Sequence, residues 1–227
     1  MSIKDWPEGE RPREKLLERG ASALSDAELL AVLLRIGTQG MSAVDLARSL
    51  LTHYGGLSGV MTASQKELSQ HKGMGVAAYA QFATVLEIGK RVLNDQLKQT
   101  PIFKNSQMLG DYLRLNIGNA NIEIAYALFL DSDNKLISSQ EIARGTVNEN
   151  TTYPREIAKL ALISNASAVV FAHNHPSGNP NPSDADFAFT NKLAQALNLL
   201  DIILLDHFII TPHLAVSFQE QGWLNLS

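Results

Sequence analysis

A short polar stretch that directly follows an apolar run constrains this chain more than any other part of it. Residues 168–172 have the composition of a buried strand, and His173 and His175 come next. A loop containing prolines and glycine then leads to Ser183 and Asp186. Because side chains alternate along a strand, both histidines point to one side if the extended backbone continues. The fold is therefore expected to bring a strand end, a loop and a new helix together at one place.

Two imidazoles and one carboxylate on a common side suit Zn²⁺, which binds nitrogen at roughly 2.0–2.1 Å and oxygen at roughly 2.0–2.2 Å. Three protein ligands leave one tetrahedral position open, which is typical of a catalytic site. A single histidine is more often a packing or surface residue, but two at alternate positions with a downstream aspartate favour a metal site. The S-x-x-D pattern also predicts an ordinary helix N-cap at Ser183, and capping would hold Asp186 in place.

The composition predicts an ordinary globular protein and excludes several kinds of site. Of the 227 residues, 45% are hydrophobic and 19% are charged, and there is no cysteine. Disulfides, thiolate ligands and cysteine nucleophiles are therefore excluded, as are zinc nucleobase deaminases, which need cysteine ligands. The first residues lack the apolar core of a signal peptide, and no run approaches the length of a membrane span. A cytoplasmic protein is expected.

The net charge of −4 is spread unevenly along the chain. Residues 1–100 contain 12 basic and 11 acidic side chains, whereas residues 101–227 contain 7 and 12. Neither part has the basic surplus that is typical of a nucleic-acid-binding surface. Four of the six histidines fall in the acidic part, as expected of a site for a cation.

Helical patterns dominate residues 1–100, which begin with a loosely ordered segment or a first short helix. Ser25 and Glu28 form a capping-box pattern before an apolar segment that stops near Gly37. Further helices are predicted over residues 42–51, from about 64, and over 76–93. The sequence thus predicts a small helical bundle, with a domain boundary in the polar segment 94–101.

Strands and helices alternate beyond this boundary, which predicts a mixed sheet flanked by helices. The predicted strands cover residues 122–130, 136–147 (as one or two strands), 168–172, 202–205 and 208–210. Predicted helices begin near Pro154 and at Ser183. We therefore predict an all-α N-terminal domain over residues 1–100 and an α/β domain over residues 101–227.

Hydrolysis of an amide also requires a group that accepts and returns a proton. The residues themselves offer four candidates in the second domain: Glu123, Glu141, Glu149 and Glu156. Glu156 falls in a helix first turn, where an acid is favoured on structural grounds alone. Glu141 lies in the middle of a predicted strand and could equally face solvent. Glu123 opens the first strand and could lie at a sheet end near the metal.

The stretch from His173 to Gly178, with Pro182, Ser183 and Asp186, resembles the JAMM (MPN-plus) metalloprotease motif in the form found in the RadC family. Three shorter stretches of the second domain also resemble that family, namely Gly145-Thr146-Val147, Tyr153-Pro154-Arg155-Glu156 and Leu205-Asp206-His207. In the first domain, residues 73–75 resemble the helix-hairpin-helix-like N-terminal region of the same family. The resemblance covers essentially the whole chain.

This resemblance implies that His173, His175 and Asp186 bind zinc, with a water molecule as the fourth ligand. It implies that Ser183 donates a hydrogen bond to the oxyanion or to that water. In JAMM enzymes a glutamate immediately precedes an apolar strand, and Glu123 matches that pattern best. The implied activity is zinc-dependent hydrolysis of peptide or isopeptide bonds, so the expected partner is a peptide or protein substrate.

An alternative function rests on the first domain. The Gly73-Met74-Gly75 turn between two helical segments is typical of hairpins whose backbone amides hold a DNA phosphate. Residues 64–93 could therefore make a weak DNA contact. The resemblance to the RadC family adds an association with DNA repair, and the chain would then be a repair-associated accessory protein with a non-catalytic or scaffold metal domain. A serine hydrolase dyad at Asp206-His207 is disfavoured because the chain has no G-x-S-x-G elbow. His207 is instead expected to be structural or to support a metal ligand.

Overall fold

The structure of the protein is a computed structural model that describes residues 3–102, 106–145 and 153–224. The chain divides into two units, Met1–Ile88 and Gly89–Ser227, and each has its own buried core. This division falls inside a continuous helix, Val76–Gln99. The predicted domain boundary near residue 100 stays a prediction.

The described part of the first unit consists of helices joined by turns. Its helices are α1 (Pro12–Arg19), α2 (Asp26–Leu34), α3 (Ala43–Tyr54), α4 (Leu57–Thr62), α5 (Gln65–Gln70) and the first part of α6 (Val76–Gln99). Capping boxes begin three of them, at Ser25, Ser42 and Ser64, where each hydroxyl accepts from the backbone N–H three residues on. The prediction of a helical N-terminal region and of the cap at Ser25 is confirmed.

Two helices differ from the prediction. Helix α4 was not expected, because six residues give too little periodicity, yet Val60 is fully buried and tertiary packing stabilises the segment. Helix α6 continues past the predicted end at Leu93, through residues that were expected to form a linker. Leu97 is fully buried in a core of the second unit, which gives this otherwise polar stretch an apolar anchor.

The described residues of the second unit form a mixed sheet of five strands, and the prediction of a mixed sheet flanked by helices is confirmed. Its strands are β1 (Ile124–Leu130), β2 (Leu136–Arg144), β3 (Ala168–Asn174), β4 (Ile203–Ile210) and β5 (Ala215–Ser217), and its further helices are α7 (Ser106–Leu113), the π-helical turn Arg114–Gly118, α8 (Pro154–Ile163) and α9 (Asp184–Asn198). The strand order is β2-β1-β3-β4-β5. Strands β3 and β4 are parallel, and the other neighbouring pairs are antiparallel.

Alternation along the central strands divides this unit into two cores. Val170 and Ala172 of β3 face the core formed with α7, whereas Val169 and Phe171 face the core formed with α8 and α9. His173 continues the second set. The histidine side of β3 is therefore the side covered by α8 and α9.

The sequence patterns missed or divided several elements of this sheet. The two short strands predicted around residues 202–210 form one strand, β4, because the intervening Asp206 and His207 are buried and hydrogen-bonded rather than in a loop. Strand β2 is a single strand in the described residues, and neither α7 nor β5 was predicted. Among the helices of the described ranges, none is long and apolar enough to cross a membrane.

Candidate metal centre

The structure brings His173, His175 and Asp186 together at the end of the central strand. His173 lies in β3 and is 3% exposed, His175 follows the strand by one residue, and Asp186 lies in the first turn of α9. The Nε2 atoms of the two histidines are 2.9 Å apart. Asp186 Oδ1 lies 3.1 Å from His173 Nε2, and Asp186 Oδ2 lies 3.7 Å from His175 Nε2. These three residues could hold a metal ion between them.

The tautomer of His175 follows from its backbone contact. His175 Nδ1 is 2.7 Å from the carbonyl oxygen of Asn179, which can only accept a hydrogen bond. Nδ1 therefore carries the proton, and Nε2 presents its lone pair to Asp186 and His173 when the ring is neutral. The loop between β3 and α9 thus orients the His175 ring through Nδ1, the nitrogen that faces away from the cluster.

The tautomer of His173 is set by a longer chain of hydrogen bonds. Thr190 Oγ1 donates to the carbonyl oxygen of Asp186 at 2.6 Å, which uses its only hydrogen. Thr190 Oγ1 therefore accepts from His207 Nδ1, also at 2.6 Å. Neutral His207 then accepts at Nε2 from His173 Nδ1, at 2.8 Å. His173 Nε2 is left with its lone pair facing Asp186.

The protonation state of His207 agrees with this assignment. Burial lowers the pKa of His207 well below its usual value, and a proton on His173 would lower it further by charge repulsion. The ring is 1% exposed and stacks on Phe218 at 4.4 Å between ring centres. His207 is therefore a neutral hydrogen-bond acceptor toward His173 near neutral pH, and it acts as a positioning residue for that side chain.

The donor set fits a cation. Two imidazole lone pairs and a carboxylate face one another, so without a proton or a metal between them they would repel. In a tetrahedral zinc site with bonds of about 2.0–2.1 Å, neighbouring ligand atoms lie about 3.3 Å apart. The 2.9 Å between the two Nε2 atoms and the 3.1 Å between His173 Nε2 and Asp186 Oδ1 are close to that value, and the other carboxylate oxygen, Oδ2, lies 3.7 Å from His175 Nε2.

Asp186 is ionised and fixed in orientation. Burial alone would raise the pKa of the Asp186 carboxyl, but the hydrogen bond and charge that His173 supplies when its ring is protonated, together with hydrogen bonds from Ser183, hold that pKa well below its usual range. The backbone N–H and the hydroxyl of Ser183 both donate to Asp186 Oδ2 at 2.7 Å. The predicted N-cap at Ser183 is present as a full capping box, so one motif starts the helix and orients a candidate ligand.

Asn174, between the two histidines, holds the beginning of the neighbouring strand. Its side chain is completely buried on the opposite face of β3, where Oδ1 accepts from the backbone N–H of Ile124 at 2.6 Å. Its Nδ2 donates to the carbonyl oxygens of Ala120 and Ile122 at 3.2 and 3.1 Å. These bonds fix the segment that carries Glu123. The sequence analysis did not predict this role. Alternation puts Asn174 on the side of β3 that faces away from the histidines, and a buried amide there needs hydrogen-bond partners.

Glu123 directly precedes β1, next to the strand that carries His173. Ala125 of β1 pairs with His173 of β3, and antiparallel partners share a face of the sheet. Alternation beyond this last pair predicts that Glu123 lies on the face of the two histidines. Glu123 is half-buried, and its carbonyl oxygen accepts from Gly145 N–H at 2.9 Å. Its assignment as the general base stays a prediction.

The other candidate bases are placed differently. Glu141 pairs with Tyr126, whose side chain packs on the α7 core, so Glu141 points to the face away from the histidines. Both of its oxygens bind Arg144, at 2.7 and 2.6 Å. Glu156 is exposed and contacts Arg155. Glu149 lies outside the described residues, as do Thr146 and Val147 of the family-like stretch.

The Asp206-His207 pair does not form a hydrolase dyad. Asp206 points to the α7 side of β4, where its Oδ2 accepts from the Ser217 hydroxyl at 2.5 Å, while His207 contacts His173 and Thr190 on the other side. Adjacent strand residues face opposite ways, so the carboxylate and the imidazole do not meet. This geometry agrees with the expectation that His207 supports a metal ligand.

The glycine turn of the first unit has a packing reason of its own. Gly73 has φ +88°, and a Cβ there would lie 3.0 Å from the Thr38 side chain. Met74 is 4% exposed and belongs to the core of the unit. The turn between α5 and α6 therefore requires glycine whether or not it binds DNA, and the DNA contact predicted for residues 64–93 stays a prediction.

Comparison with known proteins supports the resemblance found in the sequence. A family model described as RadC-like JAB domain matches residues 103–223, and one described as UPF0758 N-terminal matches residues 3–80. The chain belongs to the RadC-like UPF0758 family. A UPF0758 protein of Neisseria meningitidis serogroup B is 55% identical over 222 residues, covering 98% of this chain and 99% of the relative. A UPF0758 protein of Aromatoleum aromaticum is 52% identical over 225 residues, covering 99% and 100%.

Membership of the RadC-like UPF0758 family accounts for the whole described chain. The JAB domain contains the cluster of His173, His175 and Asp186, and the UPF0758 N-terminal region contains the helical unit. Relatives match over nearly their entire length. The names of these relatives give no activity, so the chemistry has to be argued from the site.

Proposed function

We propose that this RadC-like protein is a zinc-dependent hydrolase that cleaves peptide or isopeptide bonds. The observation that carries the proposal is the convergence of three electron-pair donors, His173 Nε2, His175 Nε2 and the Asp186 carboxylate, with separations of 2.9 to 3.7 Å. Zn²⁺ held by two imidazoles and a carboxylate supplies a Lewis acid that polarises a carbonyl and makes water nucleophilic near neutral pH.

The surrounding residues hold the three ligands in the states that zinc requires. The carbonyl oxygen of Asn179 and Nε2 of His207 accept hydrogen bonds from Nδ1 of His175 and of His173, so the Nε2 lone pairs of both ligands stay free. Ser183 fixes the Asp186 carboxylate with two hydrogen bonds. Hydrogen bonds of this kind to the ligating side chains are characteristic of metal centres, where they orient the ligands for the metal.

Glu123 is the proposed proton carrier. From the histidine face of the sheet it would accept a proton from the attacking water and return it to the departing amine nitrogen. Asn174 supports this role indirectly, because it fixes the backbone on both sides of Glu123. The proposed donation from Ser183 to the oxyanion requires its hydroxyl to leave Asp186 Oδ2, since a serine has a single O–H.

The test combines metal analysis with a peptide-library cleavage assay, with and without a chelator. We expect wild type to carry zinc and to cleave, Asp186→Asn to lose both properties, and Glu123→Ala to keep zinc but lose cleavage. Asp184→Asn is the matched control, because Asp184 lies in the same first turn of α9 but outside the cluster. A wild-type protein that carries zinc, leaves every peptide intact and binds DNA with a clear salt dependence would contradict the proposal and favour the accessory function.

A further inference from the structure

The first unit contains a second site, a large cavity lined by arginines. Its volume is about 940 Å³, and its walls come from the start of α1, the end of α2, and the loop and cap that lead into α3. Arg11, Arg13 and Arg35 all line it. The cavity lies wholly within residues 3–45, so it is distinct from the metal centre of the other unit. It has the size of ordinary small-molecule sites, which occupy about 300–1,000 Å³.

Among the described residues, the arginines that line this cavity outnumber the carboxylates that line it. Each of the two carboxylates has a cationic partner of its own: Glu14 lies 3.7 Å from Arg11, and Asp45 lies 3.5 Å from Arg48. Arg13 and Arg35 are exposed and have no hydrogen-bond or ion-pair partner among the described residues. Two unpaired guanidinium groups on one cavity make it complementary to an anion.

Arg35 is held in a strained backbone conformation. Its φ is 69° and its ψ is −34°, and Ile36 N–H donates to the carbonyl oxygen of Leu34 at 2.8 Å. This is a γ-turn with a positive φ at its centre, a rare and strained turn for a residue with a side chain. Glycine would adopt it without steric penalty. Backbone strain of this kind is characteristic of functional positions, because glycine would form the same turn without strain.

The loop after Arg35 forms a rigid wall. A Cβ at Gly37 would lie only 2.1 Å from the carbonyl oxygen of Met41, so the chain closes on itself there. Thr38 and Met41 exchange backbone hydrogen bonds at 3.1 and 2.9 Å. Ile36, which is 76% exposed, lies beside this wall together with Val32. The cavity therefore combines cationic side chains with apolar surface.

We propose that this cavity binds an organic phosphate of about nucleotide size. Guanidinium groups recognise phosphate oxygens through paired, charge-assisted hydrogen bonds, and two such groups suit a dianion. Val32 and Ile36 would contact the organic part, which inorganic phosphate lacks. The same phosphate chemistry is presented by a free nucleotide and by a nucleic acid strand.

The test measures binding by calorimetry with the full chain, using ADP, inorganic phosphate and a single-stranded oligonucleotide, after a thermal-shift screen of nucleotides and sugar phosphates. We expect Arg13→Gln and Arg35→Gly each to weaken binding about tenfold or more, the loss of one charge-assisted contact. Arg19→Gln is the matched control, since Arg19 is an exposed arginine that does not line the cavity. It should change affinity less than twofold.

Arg35→Gly separates ligand binding from folding. Because glycine relieves the strained turn, this variant should have a higher Tm than wild type in the absence of ligand while it binds more weakly. ADP binding tighter than that of the oligonucleotide assigns a free nucleotide, and the reverse order assigns a strand. The proposal is overturned if no phosphorylated probe binds at millimolar concentration, if inorganic phosphate binds as tightly as ADP, or if both arginine variants bind like wild type.

Discussion

At the scale of single residues, the state of His173 depends on groups that never reach the ligand-binding atoms. The hydrogen-bond chain runs from the carbonyl of Asp186 through Thr190 and His207 to His173 Nδ1, and each link follows from the single proton that each partner can give. Three sequence-distant elements, α9, β4 and β3, therefore determine which nitrogen of one imidazole is free.

Replacing His207 tests this chain. His207→Phe keeps the ring volume but leaves His173 Nδ1 without an acceptor in a buried place, so we expect zinc affinity to fall about 10- to 100-fold. Affinity would be measured by competition with a chromophoric chelator. His213→Phe is the control, because His213 is exposed and outside the cluster. If His207→Phe and His213→Phe bind zinc with equal affinity, His207 does not position His173 for metal binding.

At the scale of elements, helix α9 begins with a capping box that serves two purposes. The Ser183 hydroxyl satisfies the first turn and also holds a candidate ligand, Asp186. Capping boxes at Ser25 and Ser42 have the same chemistry but lie far from the cluster in sequence and contain no candidate ligand. A substitution at Ser25 therefore measures the effect of losing a cap alone, against which the effect of the same substitution at Ser183 can be compared.

Ser183→Ala and Ser25→Ala should lower the free energy of unfolding by a similar amount, about 1 kcal/mol each. Only Ser183→Ala should also weaken zinc binding, because it frees the Asp186 carboxylate to rotate. Chemical denaturation gives the first quantity and chelator competition the second. Unchanged zinc affinity in Ser183→Ala would show that the hydroxyl acts as a cap alone.

Strand β4 carries a buried acid that makes stability depend on pH. Burial raises the pKa of Asp206 to about 6, although Ser217 and the backbone N–H groups of Gln219 and His207 donate to the carboxylate. In the unfolded chain the Asp206 carboxyl titrates near its ordinary pKa of 3.8. The folded state therefore keeps the proton longer, and stability is lost as pH rises from about 4 to about 6 and then stays constant.

Asp206→Asn should remove this dependence. Asparagine has no proton to lose at this position. As the pH rises from 4 to 7, the free energy of unfolding of the variant should therefore increase relative to that of wild type by up to about 3 kcal/mol. One pKa unit corresponds to about 1.4 kcal/mol. Urea unfolding at the two pH values measures it. A difference that does not change with pH would contradict the assignment of a raised pKa.

At the scale of the whole molecule, the two units have separate cores and separate candidate sites. The metal ligands lie in the sheet unit and the arginine-lined cavity in the helical unit. Helix α6 contributes residues to both units, and its Leu97 is completely buried in the sheet unit. A fragment that keeps Leu97 should therefore be more stable than one that starts at the predicted boundary.

Fragments 89–227 and 101–227 test where the second domain begins. We expect the longer fragment to fold and bind zinc, and the shorter one to be less stable by about 2–4 kcal/mol, because it leaves a core position unfilled. Thermal unfolding and chelator competition on both fragments check this. Equal stability would place the boundary at residue 101 as the composition suggested.

Much of the site was predictable because it depends on short-range periodicity. Alternation along β3 put His173 and His175 on one side, and the S-x-x-D pattern placed Asp186 in a helix first turn. The partners that fix these ligands were not predictable in the same way. His207 and Thr190 come from elements whose distance along the chain carries no periodic signal.

Propensity, capping and side-chain alternation act over a few residues, so the helical and the α/β segments, their main caps and the candidate ligands could be predicted from the chain alone. Packing had to be known to establish which nitrogen of each imidazole is free, which face Glu141 takes, and that Asn174 holds the start of β1. Packing also creates the cavity that Arg13 and Arg35 line. Strand register and buried hydrogen bonds join residues far apart in the chain, so they exist only once the sheet and its helices have packed.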